Sequence, residues 1–155
     1  MAKNPEACLA NIKRKISEKT GVTQCLELDK TSAAFSGTAD NYDLYISLDV
    51  IEKRGKTYLR AYMADHFEWD ESRYASQAEF EDQIVQYFCR YIGRTVKTVT
   101  ETTRHKYIRV TEYCLDPETN TWVLLSDEKA SRLLLRPFIR ENSVQEEIKQ
   151  YTLCQ

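Results

Sequence analysis

The sequence predicts an α+β protein in which an antiparallel sheet carries its helices largely on one face. Residues 76–93 show a wide apolar stripe at helical spacing, and residues 42–67 alternate between apolar and polar on both sides of a short turn. This alternation favours antiparallel strands, because parallel strands are buried on both faces and more uniformly apolar. Only 4 glycines and 3 prolines occur, so regular elements should dominate.

The composition is typical of one globular domain, which we expect to span residues 1–155. The formal net charge is −2, so no overall attraction to nucleic acid or to a membrane surface is expected. The 5 cysteines are scattered and form no CxxC pair, which favours a reducing compartment over a disulfide framework. We find no apolar stretch typical of a signal peptide or a membrane span, so a cytoplasmic location is expected.

The first predicted elements are a helix and two short strands. Asn4 is a favourable N-cap, Pro5 suits the first helical position, and Gly21 ends the helix. Its apolar face comprises Cys8, Leu9, Ile12 and Ile16. The two strands are predicted at residues 22–28 and 33–36, with a turn at 29–32.

A hairpin over residues 42–67 is the clearest β element. Arg54-Gly55 is a credible two-residue turn, and this turn sets the register of the two strands. One face then pairs apolar residues: Val50 with Leu59, Leu48 with Ala61, and Ile46 with Met63. The other face pairs Asp49 with Arg60, Ile51 with Tyr58, and Ser47 with Tyr62. A slip of one residue would place apolar residues against charges, so the pattern selects this register.

The central helix is predicted over residues 76–93. Ser76 and Glu79 form a capping box, and Gly93 provides a favourable end. The apolar stripe is too wide for a solvated helix, so the helix should pack on a sheet or on other helices. The stripe comprises Phe80, Ile84, Val85, Tyr87, Phe88, Tyr91 and Ile92.

The remaining predictions complete the order α-β-β-β-β-α-β-β-β-α-α. An acidic, aromatic loop is expected at residues 65–74, before the central helix. Residues 94–115 should form two strands with a turn at 102–105, and a strand at 122–125 should follow the turn at 116–120. A short helix is predicted at 127–135. A last helix should start at the capping box of Ser143 and Glu146, with Val144, Ile148 and Tyr151 on one side.

We find no sequence pattern that indicates catalysis, a metal site or a cofactor. The two histidines, His66 and His105, are far apart, and the Cys–His spacing of a zinc site is absent. A nucleophile elbow and a glycine-rich phosphate loop are absent as well. The interpretation therefore leans away from an enzyme, and no catalytic or metal-binding residue is predicted.

The favoured function is a non-enzymatic protein-binding module, such as an adaptor, an inhibitor or a chaperone-like subunit. Tyrosine is enriched at interfaces, so the half-aromatic face of the hairpin is a candidate surface for another protein or for a second copy of this chain. The aromatic residues of the following loop extend it. The predicted binding residues are Tyr45, Tyr58, Arg60, Tyr62, Phe67 and Trp69.

Nucleic-acid binding is the alternative, and it rests on a segregated distribution of charge. Acidic residues dominate 64–82, whereas basic residues dominate 90–110. A basic hairpin can neutralise phosphates while its aromatic residues stack on bases. The candidate residues are Arg94, Lys97, Arg104, Lys106 and Arg109.

The α-β-β-β-α-β-β-α part of this order is similar, in element order and size, to small acidic secretion chaperones. That resemblance implies a dimer that holds extended partner segments, and it assigns no site residues.

Overall fold

The structure is a computed structural model that describes residues 2–63, 67–103, 106–129 and 143–154. At residues 67, 103, 106–108 and 129 it describes the backbone alone. Contacts divide the chain into two compact units: Met1–Gly93 with Tyr151–Gln155, and Arg94–Gln150. This division does not decide whether residues 1–155 fold as one domain, which stays a prediction.

The first unit contains two helices and a five-stranded antiparallel sheet in the order β1-β2-β3-β4-β5. Its elements are α1 (Pro5–Thr20), β1 (Leu26–Asp29), β2 (Ser32–Thr38), β3 (Asn41–Lys53), β4 (Lys56–Met63), β5 (Phe67–Asp70), a 3₁₀ turn (Glu71–Arg73) and α2 (Gln77–Cys89). Asn4 caps α1 through its side chain, and Gly21 ends α1 in the left-handed conformation, as predicted.

The predicted register of the hairpin is confirmed. β3 and β4 pair Val50 with Leu59 and Leu48 with Ala61, and they place Asp49 opposite Arg60. Arg54 and Gly55 both have positive φ angles, 52° and 76°, as a two-residue hairpin turn of the favoured hand requires.

The core of the first unit lies between the apolar sheet face and the two helices. The Oγ of Ser76 accepts a hydrogen bond from the Glu79 amide at 3.1 Å, so the predicted cap of α2 is confirmed. Phe88 of α2 contacts the rings of Phe35 and Trp69 on the sheet. The buried apolar side chains of this core include Ile12, Ile16, Phe35, Ile46, Leu48, Leu59, Phe80, Ile84 and Phe88.

The second unit is a four-stranded antiparallel sheet in the order β8-β7-β6-β9. Its strands are β6 (Thr95–Thr103), β7 (Lys106–Asp116), β8 (Thr121–Lys129) and β9 (Ser143–Gln150). The strands β6, β7 and β8 are the three that the sequence predicts. The turn predicted at 102–105 falls partly outside the described residues.

Three predictions about element type are wrong. Residues 143–150 form the strand β9 and not a last helix, because β6 offers a continuous ladder of pairs to this segment. The start of the helix predicted at 127–135 belongs to β8, and the rest of that helix lies outside the described residues. The predicted loop at 65–74 contains β5 and the 3₁₀ turn; its first two residues are not described.

The α+β class is confirmed, and the element order differs from the predicted one. The described residues contain two helices and nine strands, in two antiparallel sheets. Within the described residues, two sheets therefore replace the single sheet that the sequence predicts.

Candidate functional site

We use the name tyrosine face for Tyr45, Tyr58, Arg60 and Tyr62, which share the polar face of β3 and β4. The Nε atom of Arg60 donates to the Oδ1 atom of Asp49 at 3.0 Å, and a second hydrogen bond makes this pair bidentate. The Arg60 guanidinium lies 5.2 Å from the ring centroid of Tyr62. The hydrogen bonds that Arg60 donates to Asp49 raise the pKa of Arg60 above its usual value. All four residues are half-buried, so a partner could reach part of each side chain.

The other two predicted protein-binding residues lie on β5. The side chain of Phe67 is outside the described part of the chain. Trp69 pairs with Ala61 of β4 and therefore points to the apolar face, where it contacts Tyr87 and Phe88. Trp69 is only 5% exposed, so it is a core residue, and the prediction that it forms an exposed aromatic surface does not hold.

Two of the basic residues proposed for nucleic-acid binding, Arg109 and Lys97, lie beside acidic residues. The Nε and Nη2 atoms of Arg109 donate to the Asp127 carboxylate at 2.8 and 2.6 Å. Lys97 lies 3.8 Å from Glu146 of β9. The described part of the second unit contains six basic and eight acidic residues, so it carries no excess of positive charge.

Two of the remaining basic candidates cannot be placed. Arg104 and the side chain of Lys106 are outside the described residues. Arg94 is exposed and contacts the Cys114 sulfur at 3.8 Å.

The second unit has an aromatic and apolar surface that the sequence analysis missed. The β6, β7, β8 and β9 registers place Lys97, Tyr113, Trp122, Leu124, Val144 and Ile148 on one side of the sheet, which we call the tryptophan face. The Nζ atom of Lys97 lies 4.6 Å from the ring centroid of Trp122 and 5.1 Å from that of Tyr113. Both distances are within the range of cation–π contacts.

Exposed apolar side chains surround this cation–π cluster. Leu124, Val144 and Ile148 are 56, 62 and 57% exposed, respectively. Val144 and Ile148 lie on one face of β9, but Glu146 stands between them on that face, so the apolar alternation of a strand is incomplete. The spacing of Val144, Ile148 and Tyr151 fits a helix, and the capping box at Ser143 favoured that interpretation.

Within the described residues both outer strands of this sheet, β8 and β9, have an unpaired side, and the β9 edge lies beside the exposed Val144 and Ile148. β9 pairs with β6 on one side only, and no other described strand pairs with its second side. All residues of β9 except Lys149 are exposed. An unpaired edge presents backbone N–H and C=O groups that another extended chain can pair with.

Two buried carboxylates in the first unit serve as structural hydrogen-bond acceptors. Glu71 accepts from the Leu59 amide at 2.7 Å and also from the Lys3 ammonium. Glu81 accepts from Lys15 at 3.1 Å, and from Asn11 and Gln77 as well. Burial acts to raise the pKa of Glu81, but these hydrogen bonds outweigh it, and the pKa lies below its usual value.

Cys8 is not suited to nucleophilic chemistry. Burial, together with the nearby carboxylates of Glu81 and Glu71, raises the pKa of the Cys8 thiol to about 12. A thiol with that pKa stays protonated near neutral pH, and only the thiolate is a good nucleophile. Within the described residues, no group of three or more His, Cys, Asp or Glu side chains could hold a metal ion.

Comparison of the chain with protein-family models, with curated proteins and with solved structures gives no match. Among the described residues, we find no helix with the length and hydrophobicity needed to cross a membrane. The geometry thus defines two sheet faces, and the tryptophan face with its open edge is the more exposed of them.

Proposed function

We propose that this protein is a non-catalytic binding module that holds an extended segment of another protein against the tryptophan face and the outer edge of β9. The observation that carries this proposal is the exposure of Leu124, Val144 and Ile148 around the Lys97–Trp122 contact. A cluster of large apolar side chains on one open face marks an interaction surface more often than an ordinary solvated one.

The energetics of burial support a protein partner. Covering an exposed leucine, isoleucine or valine side chain contributes about 1.5–3 kcal/mol. Trp122 and Tyr113 add large, rigid rings of the kind that anchor protein interfaces. Polar groups are present beside them, since Lys97 lies on the inner strand β6 and Glu146 on the outer strand β9.

The outer edge of β9 supports an extended partner. A strand added to a sheet edge gains backbone hydrogen bonds, and alternate side chains of the added strand give specificity. Glu146 and Glu147 are both exposed and point to opposite faces of β9. An added strand with lysine or arginine opposite these acids would complement them on either face.

The same acids disfavour a second copy of this chain as the partner. Antiparallel pairing of two β9 strands around their centre would place Glu146 or Glu147 directly opposite another glutamate. Like charges in directly opposed positions destabilise a strand pair. The proposed partner is therefore an extended segment in which apolar residues alternate with basic ones, rather than this protein itself.

The tyrosine face remains a second candidate surface for a protein. Its support is the half-buried state of Tyr45, Tyr58 and Tyr62 and the Asp49–Arg60 pair at its centre. It lacks the strongly exposed apolar side chains of the tryptophan face, and for this reason we place it second.

A peptide titration tests the proposed partner chemistry. We would add a seven-residue peptide of alternating valine and lysine to the protein and follow Trp122 fluorescence and calorimetric heat. A matched peptide with glutamate in place of lysine is the control. Binding of the basic peptide alone supports the proposal, whereas equal binding of both peptides, or of neither, contradicts the partner chemistry.

A pair of matched substitutions tests the surface itself. Ile148→Lys places a charge on the tryptophan face at β9, beside the proposed partner strand, and Val123→Lys places one on the opposite face of β8 at a residue that is 52% exposed. We expect the first variant to lose peptide binding and the second to keep it. Pull-downs with the same variants from nuclease-treated lysate of the source cells would identify any protein whose binding requires the tryptophan face.

The alternatives have their own signatures in these experiments. Nucleic acid that is recovered with the protein and lost at high salt would favour the basic residues Arg94, Lys97 and Arg109. If the protein self-associates and the substitution Ile148→Lys abolishes this association, the partner would be a second copy of this chain and not a segment of another protein.

A further inference from the structure

The C-terminal residues 151–154 lie in the first unit, on the same edge of β2 as β1. Leu26 of β1 pairs with Ala34, and Leu153 forms a bridge with Ser36. The start of β1 and the C-terminal segment therefore meet near Phe35, and Cys25 and Cys154 are the residues next to Leu26 and Leu153 at this meeting point. Two cysteines that are far apart in the sequence therefore approach each other at one point of this edge.

The hydrogen bonds of Cys154 support this placement. Its sulfur lies 3.4 Å from the carbonyl oxygen of Ala34, to which it donates. Burial raises the pKa of the Cys154 thiol, while a hydrogen bond from the backbone N–H of Leu26 acts in the opposite direction. Since Leu26 directly follows Cys25, the Cys154 sulfur lies beside the peptide bond that joins these two residues.

Two further contacts hold the C-terminal segment in this position. The Gly37 amide donates to the Thr152 carbonyl oxygen at 3.2 Å, and the ring of Tyr151 lies 5.6 Å from that of Tyr91. The segment is thus anchored on both sides of Leu153, so Cys154 stays close to Cys25.

We propose that Cys25 and Cys154 form a reversible disulfide that ties the C-terminal segment to the start of β1. Residues that meet on one sheet edge are consistent with the Cα separation of a disulfide, roughly 4.4–6.8 Å. Cys8, another cysteine of the first unit, is not part of this pair because it lies on the face of α1 that packs in the core.

The reaction requires an oxidant, and glutathione disulfide is a suitable one. The thiolate of Cys25, the less buried of the two residues, attacks one sulfur of glutathione disulfide and releases one glutathione. The sulfur of Cys154 gives up its proton, attacks the mixed disulfide at Cys25 and releases the second glutathione. Two protein thiols are oxidised, and one glutathione disulfide is reduced to two thiols.

The disulfide would join the two ends of a segment that includes the whole second unit, because residues 94–150 lie between the two cysteines. Closing so long a loop restricts the unfolded chain strongly. We expect the oxidised protein to have a Tm about 5–10 °C higher than the reduced protein.

The experiment uses the full chain, equilibrated with either glutathione disulfide or a reducing agent. Peptide mapping without reduction should find a peptide of Cys25 joined to one of Cys154 in a monomeric protein, with the expected rise in Tm. Cys25→Ser and Cys154→Ser should each abolish the linked peptide and the rise, whereas the control Cys89→Ser should keep both.

Three outcomes would overturn the proposal. They are a disulfide with a different pairing, a link between two molecules, and a stable glutathione adduct at Cys25 with no internal disulfide. Because Cys25 is half-buried and Cys154 is buried, the Cys25→Ser variant keeps the test valid if Cys154→Ser fails to fold. None of these outcomes depends on whether the tryptophan face binds a protein.

Discussion

The ammonium nitrogen of Lys97 lies 4.6 Å from the ring centroid of Trp122 and 5.1 Å from that of Tyr113, and all three side chains share one face of the sheet. The Lys97 side chain is largely covered, with 18% of its surface exposed. Cation–π contacts are stronger when the cation is removed from water. Lys97 is therefore expected to stabilise the second unit as well as to shape its surface.

Replacing Lys97 tests this contribution. Lys97→Met keeps most of the aliphatic chain and removes the charge, so we expect the free energy of unfolding to fall by about 1–2 kcal/mol. Urea unfolding followed by tryptophan fluorescence would measure the loss in a Trp69→Phe background, in which the remaining tryptophan, Trp122, lies in the second unit. Lys56→Met, at the exposed start of β4, is the control and should change stability by no more than about 0.5 kcal/mol. Equal effects of the two substitutions would show that the cation–π contacts contribute nothing.

The hairpin of the first unit could be predicted down to its register, whereas the tryptophan face could not. The hairpin is a local structure: Arg54 and Gly55 form the turn, and the alternation on both sides fixes which residues face each other. β9 depends on β6, and residues 104–142 separate the two strands in the sequence. No local sequence pattern indicates that β9 pairs with β6, and the capping-box sequence at Ser143 is typical of the start of a helix.

Trp69 illustrates the same limit at a single residue. Its neighbours Glu68 and Asp70 are acidic, which is typical of a solvated loop. The pairing of Trp69 with Ala61 decides its orientation, since it turns the ring to the core and leaves Glu68 opposite Tyr62. The sequence identified an unusual aromatic segment but could not tell which of its faces is buried.

The side chain of Glu71 accepts a hydrogen bond from β4 at the point where β5 ends and its backbone no longer pairs with β4. The 3₁₀ turn begins at this residue, and the Glu71 carboxylate accepts a hydrogen bond from the Leu59 backbone amide at 2.7 Å. Glu71→Ala leaves this buried amide and the Lys3 ammonium without their acceptor, so we expect a loss of about 3 kcal/mol in the free energy of unfolding. Glu71→Gln keeps an acceptor for the amide and should lose less. Denaturant unfolding of both variants, with the exposed Glu52→Ala as control, would measure the difference; a loss no larger than the control's would contradict this role.

The stability of the first unit should fall in acid partly because of Glu81. Its folded-state pKa lies below its usual value, so its contribution is fully present above the unfolded-state pKa of about 4.3. The contribution is lost as the pH falls through the lower, folded-state pKa, because the folded protein must then bind a proton. We expect the free energy of unfolding of the wild type to decrease more steeply below about pH 5 than that of Glu81→Gln. Urea unfolding at a series of pH values would test this, and parallel curves for the two proteins would refute it.

Gly37 and Gly55 offer a matched pair for separating backbone strain from steric overlap. Both have positive φ angles, +94° and +76°, so alanine is strained at either position. A Cβ atom at Gly37 would lie 2.3 Å from the Asn41 carbonyl oxygen, whereas one at Gly55 would meet nothing within 4 Å.

We therefore expect Gly55→Ala to lower the free energy of unfolding by about 1–2 kcal/mol, the usual cost of a left-handed alanine. Gly37→Ala should cost clearly more, because backbone atoms of the turn between β2 and β3 must move. Thermal and urea unfolding of the two variants would compare the losses, and equal losses would mean that the turn accommodates the methyl group freely.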